Sequence, residues 1–141
     1  MPKSYAFEQA PGHLIRRAHQ MSVAIFMEET AAFGITPVQF AILNALMDDP
    51  GEDQITLSGR VAFDAATSGS VISRLESKGL IRREADAQDK RRKLLWLTPE
   101  GQSLALAMKR SVARVQKRML AKLNADEQQQ LVALLQRVIA A

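Results

Sequence analysis

The clearest concentration of charge in this 141-residue sequence is a run of four basic residues: Lys90, Arg91, Arg92 and Lys93. Lysine and arginine bind phosphate through charge-assisted hydrogen bonds, and arginine also enters the electronegative minor groove of DNA. Taken alone, such a run is typical of a solvated loop. Its place in a predicted hairpin, shortly after a helix that ends in Gly-Leu, instead indicates contact with DNA.

The charge is divided unevenly along the chain. The whole sequence holds 19 basic and 15 acidic residues, a formal net charge of +4. Residues 1–64 hold 4 basic and 8 acidic side chains, residues 65–101 hold 8 and 5, and residues 102–141 hold 7 and 2. Segregated charge says more about a binding surface than the net figure does. The positive excess therefore points to a polyanionic partner for the C-terminal part.

Residue types that carry catalysis or bind metals are scarce. The absence of cysteine excludes a disulfide framework, a thiolate nucleophile and a cysteine-ligated metal. The two histidines, His13 and His19, are six residues apart, whereas a helical metal pair is spaced by four. We therefore expect no metal, no cofactor and no enzyme activity. Because the N-terminus lacks an apolar signal segment, we also expect a cytoplasmic protein with no membrane partner.

Capping residues and apolar periodicity predict the elements that must position the basic run. Leu14, Ala18, Met21 and Ile25 recur at helical spacing, which predicts a first helix over about 12–33 that Gly34 ends. Further helix starts are marked by four capping residues: Thr36, Asp64, Thr98 and Asn124. The second helix stops at the turn 48–51, a short segment follows at 56–62, and the third long helix covers about 65–78. An apolar stripe continues the next helix to Leu123, and a last helix follows.

A hairpin is predicted between the helix 65–78 and the helix that starts at 99. Its strands are 80–84 and 93–98, and the polar link 85–92 joins them. The helix 65–78 turns Val71, Leu75 and either Ser68 or Ile72 inward. Its outward residues are Thr67, Gly69, Ser70, Ser73 and Arg74. Most are small, so the helix can approach the floor of the major groove, where Arg74 is the one strong candidate to read guanine.

Two short helices, an exposed helix and a basic hairpin follow one another in the order of a winged helix-turn-helix. In this motif a helix fits the major groove, and an adjacent hairpin reaches the minor groove. The predicted DNA contacts on the helix are its outward residues together with Lys78. On the hairpin they are Lys90, Arg91, Arg92 and Lys93. Because bidentate readers are few, we expect DNA shape to supply much of the specificity.

The sequence resembles the MarR-type winged-helix transcription regulators. The matching stretch runs without a gap from Leu57 to Gly101 and includes Leu75-Glu76-Ser77-Lys78-Gly79-Leu80-Ile81-Arg82-Arg83. It continues with Asp86, Asp89 and Arg91, and ends in Leu97-Thr98-Pro99-Glu100-Gly101. Ser58-Gly59 departs from the family pattern, and Gly59 weakens a short helix by up to ~1 kcal/mol relative to alanine.

The resemblance implies a fold, an assembly and roles for particular residues. The fold is mainly α with a small β-hairpin wing, a winged helix-turn-helix with terminal dimerisation helices. One domain over 1–141 would combine dimerisation helices at 12–34 and 99–141 with a DNA-binding lobe at 36–98. A homodimer would bind a palindromic operator in double-stranded DNA, with Asp89 positioning Arg91 in the wing. The apolar stripes of the terminal helices also favour a partner helix over an intrachain core.

The start of the first helix is similar to the branch of the family that regulates aromatic-acid breakdown. We expect a small anionic aromatic effector, a carboxylate or its thioester, to bind near His13, with Arg16 or Arg17 pairing the acid. Phe26, Phe40 or Trp96 would line the cavity. For each arginine, a structural salt bridge or exposure to solvent is the simpler alternative.

These expectations combine into one function and one rival. The function is a ligand-responsive homodimeric repressor that the effector releases from its operator. The rival is a winged-helix protein that organises DNA without any effector.

Overall fold

The computed structural model describes residues 6–61 and 64–140. Within these ranges the chain is mainly α-helical with one antiparallel hairpin, so the predicted fold class is confirmed. The elements in chain order are α1 (Pro11–Glu29), α2 (Pro37–Asp48), α3 (Gln54–Arg60), α4 (Ala65–Ser77), β1 (Ile81–Ala85), β2 (Lys93–Leu97), α5 (Pro99–Met119) and α6 (Ala125–Ile139). None of these helices combines the length and apolarity that crossing a bilayer requires.

The chain divides into two compact units. The first unit joins the described residues up to Glu29 with those from Val112 onward, and contains α1, the end of α5 and α6. The second unit, Thr30–Ser111, contains α2, α3, α4, the hairpin and the start of α5. Helix α5 is therefore continuous through both units.

Helix α1 is shorter than predicted. It ends at Glu29, and a 3₁₀ turn follows at Ala31–Phe33. Thr30 leaves the helical conformation at φ −113°, and its carbonyl accepts from the Phe33 amide at 2.9 Å, a spacing of three residues. The predicted end at 33 is wrong because this tighter turn replaces the last α-helical turn. Gly34 follows in the left-handed region, at φ 64°, as its position predicted.

Both ends of α4 are closed by the residues that the sequence marked. Asp64 caps the start, where its carboxylate accepts from the Thr67 amide at 2.8 Å. At the other end Gly79 adopts φ 75°, and the Leu80 amide donates to the Leu75 carbonyl at 3.0 Å. This arrangement is a Schellman motif. Because the Leu80 amide closes the helix, the first strand starts at Ile81, one residue later than predicted.

The hairpin is extended by the segment before α3. β1 and β2 pair in register from Ile81–Leu97 to Ala85–Lys93. On the other edge of β2, the Gly51 amide donates to the Leu95 carbonyl and the Leu95 amide donates to the Glu52 carbonyl, at 2.9 and 3.0 Å. An isolated bridge between Asp53 and Leu94 continues this contact. The base of the hairpin is thus hydrogen-bonded to the start of the helix-turn-helix.

The core of the second unit lies among α2, α3, α4 and the hairpin, the elements that contact one another. The large apolar side chains that these elements bury fully are Ile42, Leu43, Leu46, Leu57, Ile72, Leu75, Ile81 and Leu95, and Met108 of α5 is also fully buried. Such burial contributes about 1.5–3 kcal/mol for each large aliphatic side chain. The core therefore fixes one face of α4 and leaves the other in solvent.

Helix α5 starts as predicted and ends earlier than predicted. Thr98 donates its hydroxyl to the Gly79 carbonyl at 2.6 Å and accepts from the Gly101 amide at 3.0 Å. The helix stops at Met119, so Leu123 lies outside it, contrary to the predicted stripe. The Gln128 side-chain amide takes up the carbonyls of Leu120 and Leu123, which satisfies backbone groups that a longer helix would have paired.

Gly101 offers a test of how tightly α5 packs on the end of α4. A Cβ at this position would lie 2.1 Å from the Leu80 carbonyl oxygen. We expect Gly101→Ala to lower the free energy of unfolding by about 2–3 kcal/mol, because backbone must move on both sides. Urea denaturation followed by circular dichroism measures the change.

The matched control is Gly59→Ala, at the exposed glycine of α3, where a Cβ would meet nothing within 4 Å. Alanine should stabilise this helix by about 0.5–1 kcal/mol. Equal unfolding free energies for the two variants would contradict the packing described for Gly101.

Candidate nucleic-acid interface

One face of α4 is buried and the other is exposed. Ser68, Ile72 and Leu75 are buried, at a spacing that brings them onto one side of the helix. Both Ser68 and Ile72 face inward, where the sequence had left a choice between them, and Val71 is half-buried. The structure leaves exposed the predicted outward residues Thr67, Ser70, Ser73 and Arg74, while Gly69 is half-buried.

The N-terminal turn of α4 is held by two hydrogen bonds that Thr67 donates to Asp64. The Thr67 amide donates to Asp64 Oδ1 at 2.8 Å, and the Thr67 hydroxyl donates to Asp64 Oδ2 at 2.9 Å. These hydrogen bonds hold the pKa of Asp64 below its usual value, and the bond from the Thr67 amide is the largest cause. Because the Thr67 hydroxyl donates its proton to Asp64, its oxygen can act toward a ligand only as an acceptor.

Arg83 ties the hairpin to α4, a role that the sequence reading missed. Its Nη2 donates to Ser73 Oγ at 3.2 Å and lies 3.7 Å from Glu76 Oε1. Neighbouring Arg82 instead lies over the Trp96 indole, with 5.4 Å between its Cζ and the ring centroid. The alternation of strand side chains explains this division and could have assigned the two arginines to opposite faces.

Arg83 also changes what Ser73 can offer to DNA. The Ser73 oxygen accepts from the guanidinium, so its hydroxyl proton remains available to donate outward. Ser73 faces solvent beside Ser70, Arg74 and Lys78, which line one shallow groove along α4. The groove thus presents hydroxyl donors and two cations, a combination suited to base-edge acceptors and phosphate oxygens.

Arg91 stands at the tip of the hairpin. Its backbone amide and its Nε both donate to Asp89 Oδ1, each at 3.1 Å, and its Nη2 donates to Asp89 Oδ2 at 3.5 Å. The side-chain hydrogen bond from Arg91 is the largest cause that lowers the pKa of Asp89. Although it is paired at Nε, the Arg91 side chain remains 92% exposed. Asp89 therefore holds the edge of the guanidinium that carries Nε and Nη2, while the side chain as a whole stays in solvent.

The other three basic residues of the hairpin differ in what they contact. Lys90 and Lys93 are exposed. Arg92 is also exposed, but its guanidinium pairs with Asp86 and Asp53 at 3.1 Å each. Lys78, at the end of α4, donates to the Gly34 carbonyl at 3.4 Å.

The six predicted effector residues fall in both units. His13, Arg16, Arg17 and Phe26 belong to the first unit, whereas Phe40 and Trp96 belong to the second. Within the first unit, Arg16 Nη2 donates to His13 Nδ1 at 3.0 Å, and Phe7 meets the His13 ring edge to face at 5.3 Å. Arg17 is exposed and Phe26 is buried.

Phe40 and Trp96 have separate surroundings within the second unit. Trp96 lies in β2 opposite Arg82, and a Cβ at Gly51 would lie 2.7 Å from the indole. The indole therefore packs directly on Gly51. Phe40, in α2, is half-buried. Among the residues that the structure describes, no three His, Cys, Asp or Glu side chains are grouped to hold a metal.

Comparison with known proteins identifies the family of the chain. The MarR family model matches residues 35–93. The transcriptional regulator HosA of Escherichia coli O157:H7 is 34% identical over 90% of this chain and 93% of its own length.

Two solved structures share the fold closely. PcaV of Streptomyces coelicolor, in complex with its natural ligand, has 38% identity and a TM-score of 0.88 over 96% of this chain and 95% of its own. BpsR of Bordetella bronchiseptica, whose DNA binding is regulated by 6-hydroxynicotinic acid, has 34% identity and a TM-score of 0.93 over 97% and 98%.

The lowered pKa of Asp64 predicts an acid-sensitive start of α4. The ionised carboxylate stabilises the fold above the unfolded pKa, and this contribution is lost as pH falls through the lower folded pKa. Asparagine caps a helix about as well but does not titrate. Between pH 5 and pH 3, Asp64→Asn should therefore lose less unfolding free energy than the parent protein, as measured by urea denaturation. An identical pH dependence of the two proteins would show that Asp64 does not contribute.

Proposed function

This chain belongs to the MarR family of transcription regulators, and from that membership we propose that it is a homodimeric repressor of a palindromic operator, released by a small anionic aromatic effector. The observation that carries the proposal is the joint exposure, within one unit, of the polar face of α4 and the Arg91 guanidinium at the wing tip.

Helix α4 is proposed to enter the major groove. The small side chains of Gly69, Ser70 and Ser73 permit a close approach, and Thr67 and Arg74 present an acceptor and a bidentate donor. Arg74 is proposed to read guanine, since a guanidinium matches the O6 and N7 acceptors of that base. Lys78 is proposed to contact phosphate at the end of the helix.

The hairpin is proposed to enter the adjacent minor groove with Arg91 at its tip. A narrow minor groove concentrates negative potential, which favours an inserted guanidinium. Asp89 positions Arg91 in advance, so that less side-chain freedom is lost on binding. Lys90 and Lys93 supply phosphate contacts on either side, and these contacts carry the salt-dependent part of the affinity.

The dimer is proposed to form through the terminal helices, within the ranges 12–34 and 99–141, with the lobe at 36–98 binding DNA. Large apolar side chains are exposed on α1 and α6, as expected for faces that a second copy covers: Leu14, Ile15, Met21, Met27, Val132, Leu134, Leu135, Val138 and Ile139. Several are more than half exposed, with Val138 at 67% and Ile139 at 80%. A monomer rarely leaves so many apolar side chains in water on neighbouring turns.

The effector is proposed to be an aromatic carboxylate or its thioester bound near the start of α1. His13, Arg16 and Phe7 form a cluster there that offers a cation, an imidazole and an aromatic edge. A carboxylate would replace the His13 nitrogen as the partner of the Arg16 guanidinium, gaining a charge-assisted pair. Arg17, Phe26, Phe40 and Trp96 remain proposed contacts. The regulation of BpsR by 6-hydroxynicotinic acid supports an effector of this class.

The first test concerns the wing. Arg91→Ala should weaken binding to a duplex selected by the protein from a randomised pool by about 1–3 kcal/mol, about 5- to 150-fold. The fluorescence anisotropy of the labelled duplex measures the affinity, and sedimentation confirms an unchanged assembly.

The control for the wing test is Arg110→Ala, which removes the same charge from an exposed position on α5. It should change the affinity less than about threefold, because distant exposed charges are screened by salt. Equal losses in the two variants, or an unchanged affinity of Arg91→Ala, would refute the assignment of the wing.

The second test concerns the effector. Benzoic acid, 4-hydroxybenzoic acid and 6-hydroxynicotinic acid, with the coenzyme A thioesters of the first two, should include a compound that raises the melting temperature. At a free compound concentration of 100 times its Kd, binding adds about 2.7 kcal/mol to the free energy of unfolding. The same compound should release the selected duplex, and Arg16→Gln should weaken its effect.

Neutral benzamide and 4-hydroxybenzamide are the matched controls, since they keep the ring and lose the carboxylate. If no acid or thioester changes the melting temperature and the duplex stays bound, the result supports the rival hypothesis of a DNA-organising protein without an effector. Equal affinity for selected and random duplexes would instead refute the regulator itself, because a specific regulator prefers its site by about a thousandfold or more.

A further inference from the structure

Arg92 holds two carboxylates that belong to different parts of the second unit. Its Nη1 lies 3.1 Å from Asp86 Oδ2, in the hairpin loop, and its Nη2 lies 3.1 Å from Asp53 Oδ2, before α3. Both aspartate side chains are mostly enclosed, at 17% and 18% exposure, whereas the arginine is 51% exposed. One guanidinium thus joins the wing loop to the start of the helix-turn-helix.

We propose that Arg92 is a positioning residue that fixes the wing against α3, and that it is not itself a DNA contact. The inference rests on the proposed function, in which the wing carries Arg91 to the minor groove. It assigns different roles to two adjacent arginines: Arg91 contacts DNA, and Arg92 pairs with the two aspartates and holds the loop.

Asp53 is the fixed side of this contact. Its carboxylate caps α3 by accepting from the Thr56 amide at 2.9 Å and from the Thr56 hydroxyl at 2.8 Å. Its backbone also forms the bridge to Leu94 in β2. The hydrogen bond from the Thr56 amide is the first cause that lowers the pKa of Asp53. The carboxylate is thus held ionised and in place by α3, so it provides a firm anchor for the loop.

Asp86 is the loop side of this contact, because it belongs to the loop that carries Arg91. The Asp86 carboxylate accepts from the Gln88 amide at 3.1 Å, and the Asp86 amide donates to the Arg92 carbonyl at 3.0 Å. The Arg92 amide in turn donates to the Asp89 carbonyl at 2.9 Å. Arg92 therefore closes the loop through its backbone and anchors it through its side chain, so the place of Arg91 depends on it.

The geometry requires arginine at this position. A guanidinium presents separate nitrogens to two acceptors in a fixed plane, whereas a lysine ammonium is a point charge that cannot hold both in this way. Without Arg92, two enclosed carboxylates face each other and repel. By contrast, a residue that only binds phosphate is replaced well by lysine.

This difference gives the decisive variant, Arg92→Lys, measured beside Arg92→Ala on the selected duplex. A positioning role predicts that both variants lose affinity about tenfold. The slope of log Kd against log salt concentration should then stay close to that of the parent protein. A direct phosphate contact predicts that lysine keeps the parent affinity and that alanine lowers the slope by about 1. The second pattern would overturn the proposal.

A double-mutant cycle tests the carboxylates themselves. Asp53→Asn with Asp86→Asn removes both charges, and asparagine retains the cap on α3. In that background Arg92→Ala should cost less than about twofold, because there is no longer a pair of charges to hold. An undiminished tenfold loss in the Asn background would show that Arg92 acts on DNA and not on the aspartates.

A measurement without DNA separates this inference from the proposed function. Amide hydrogen exchange of the free protein should accelerate at Asp86 and Arg92 in Arg92→Lys, with the amides of Ile42 and Leu43 in α2 as the unaffected reference. Unchanged exchange at Asp86 and Arg92 would refute the positioning role even if DNA binding is confirmed. Faster exchange supports it even if the protein fails to prefer any duplex.

Discussion

The surface proposed to meet DNA depends on the burial of one face of α4. Ser68, Ile72 and Leu75 anchor this helix in the core and determine which side chains remain in solvent. If the buried positions were shifted by one residue, the helix would be rotated by about 100°, and Ser73 or Arg74 would be buried. The cap at Asp64 and the Schellman motif at Gly79 fix the two ends, so the exposed face is set by helix boundaries as well as by core packing.

Carboxylates organise the cations around this helix. Asp89 restrains Arg91, Asp53 and Asp86 hold Arg92, and Glu76 lies beside Arg83. The count of basic residues in the hairpin therefore overstates the charge that is free to meet phosphate. These pairs also explain why acidic residues occur in a segment whose net charge is positive. The carboxylates orient long, rotatable basic side chains, and this orientation lowers the entropy lost on binding.

Much of the secondary structure could be predicted from the sequence because its signals are local. The caps at Thr36, Asp64, Thr98 and Asn124 act within three residues, and each helix starts where its cap predicted. The contacts of Arg83 and Arg92 were not predictable in the same way. The pair Arg92–Asp53 spans 39 residues, and no periodicity identifies such a partner before the fold brings it near. The 3₁₀ turn after α1 was missed because apolar spacing continues through it.

Regulation adds a constraint that the static contacts alone do not supply. An effector shifts the protein away from DNA only in so far as it binds the two states with different affinity, and the operator must weaken effector binding by the same factor. A tenfold release therefore requires about 1.4 kcal/mol of differential contact. In the proposed effector site, the hydrogen bond from Arg16 to His13 already has an ionised donor and is exposed, so a carboxylate that takes the place of His13 adds only about 0–1 kcal/mol. A tenfold coupling therefore needs further effector contacts that differ between the DNA-bound and the released state, in addition to the exchange at Arg16.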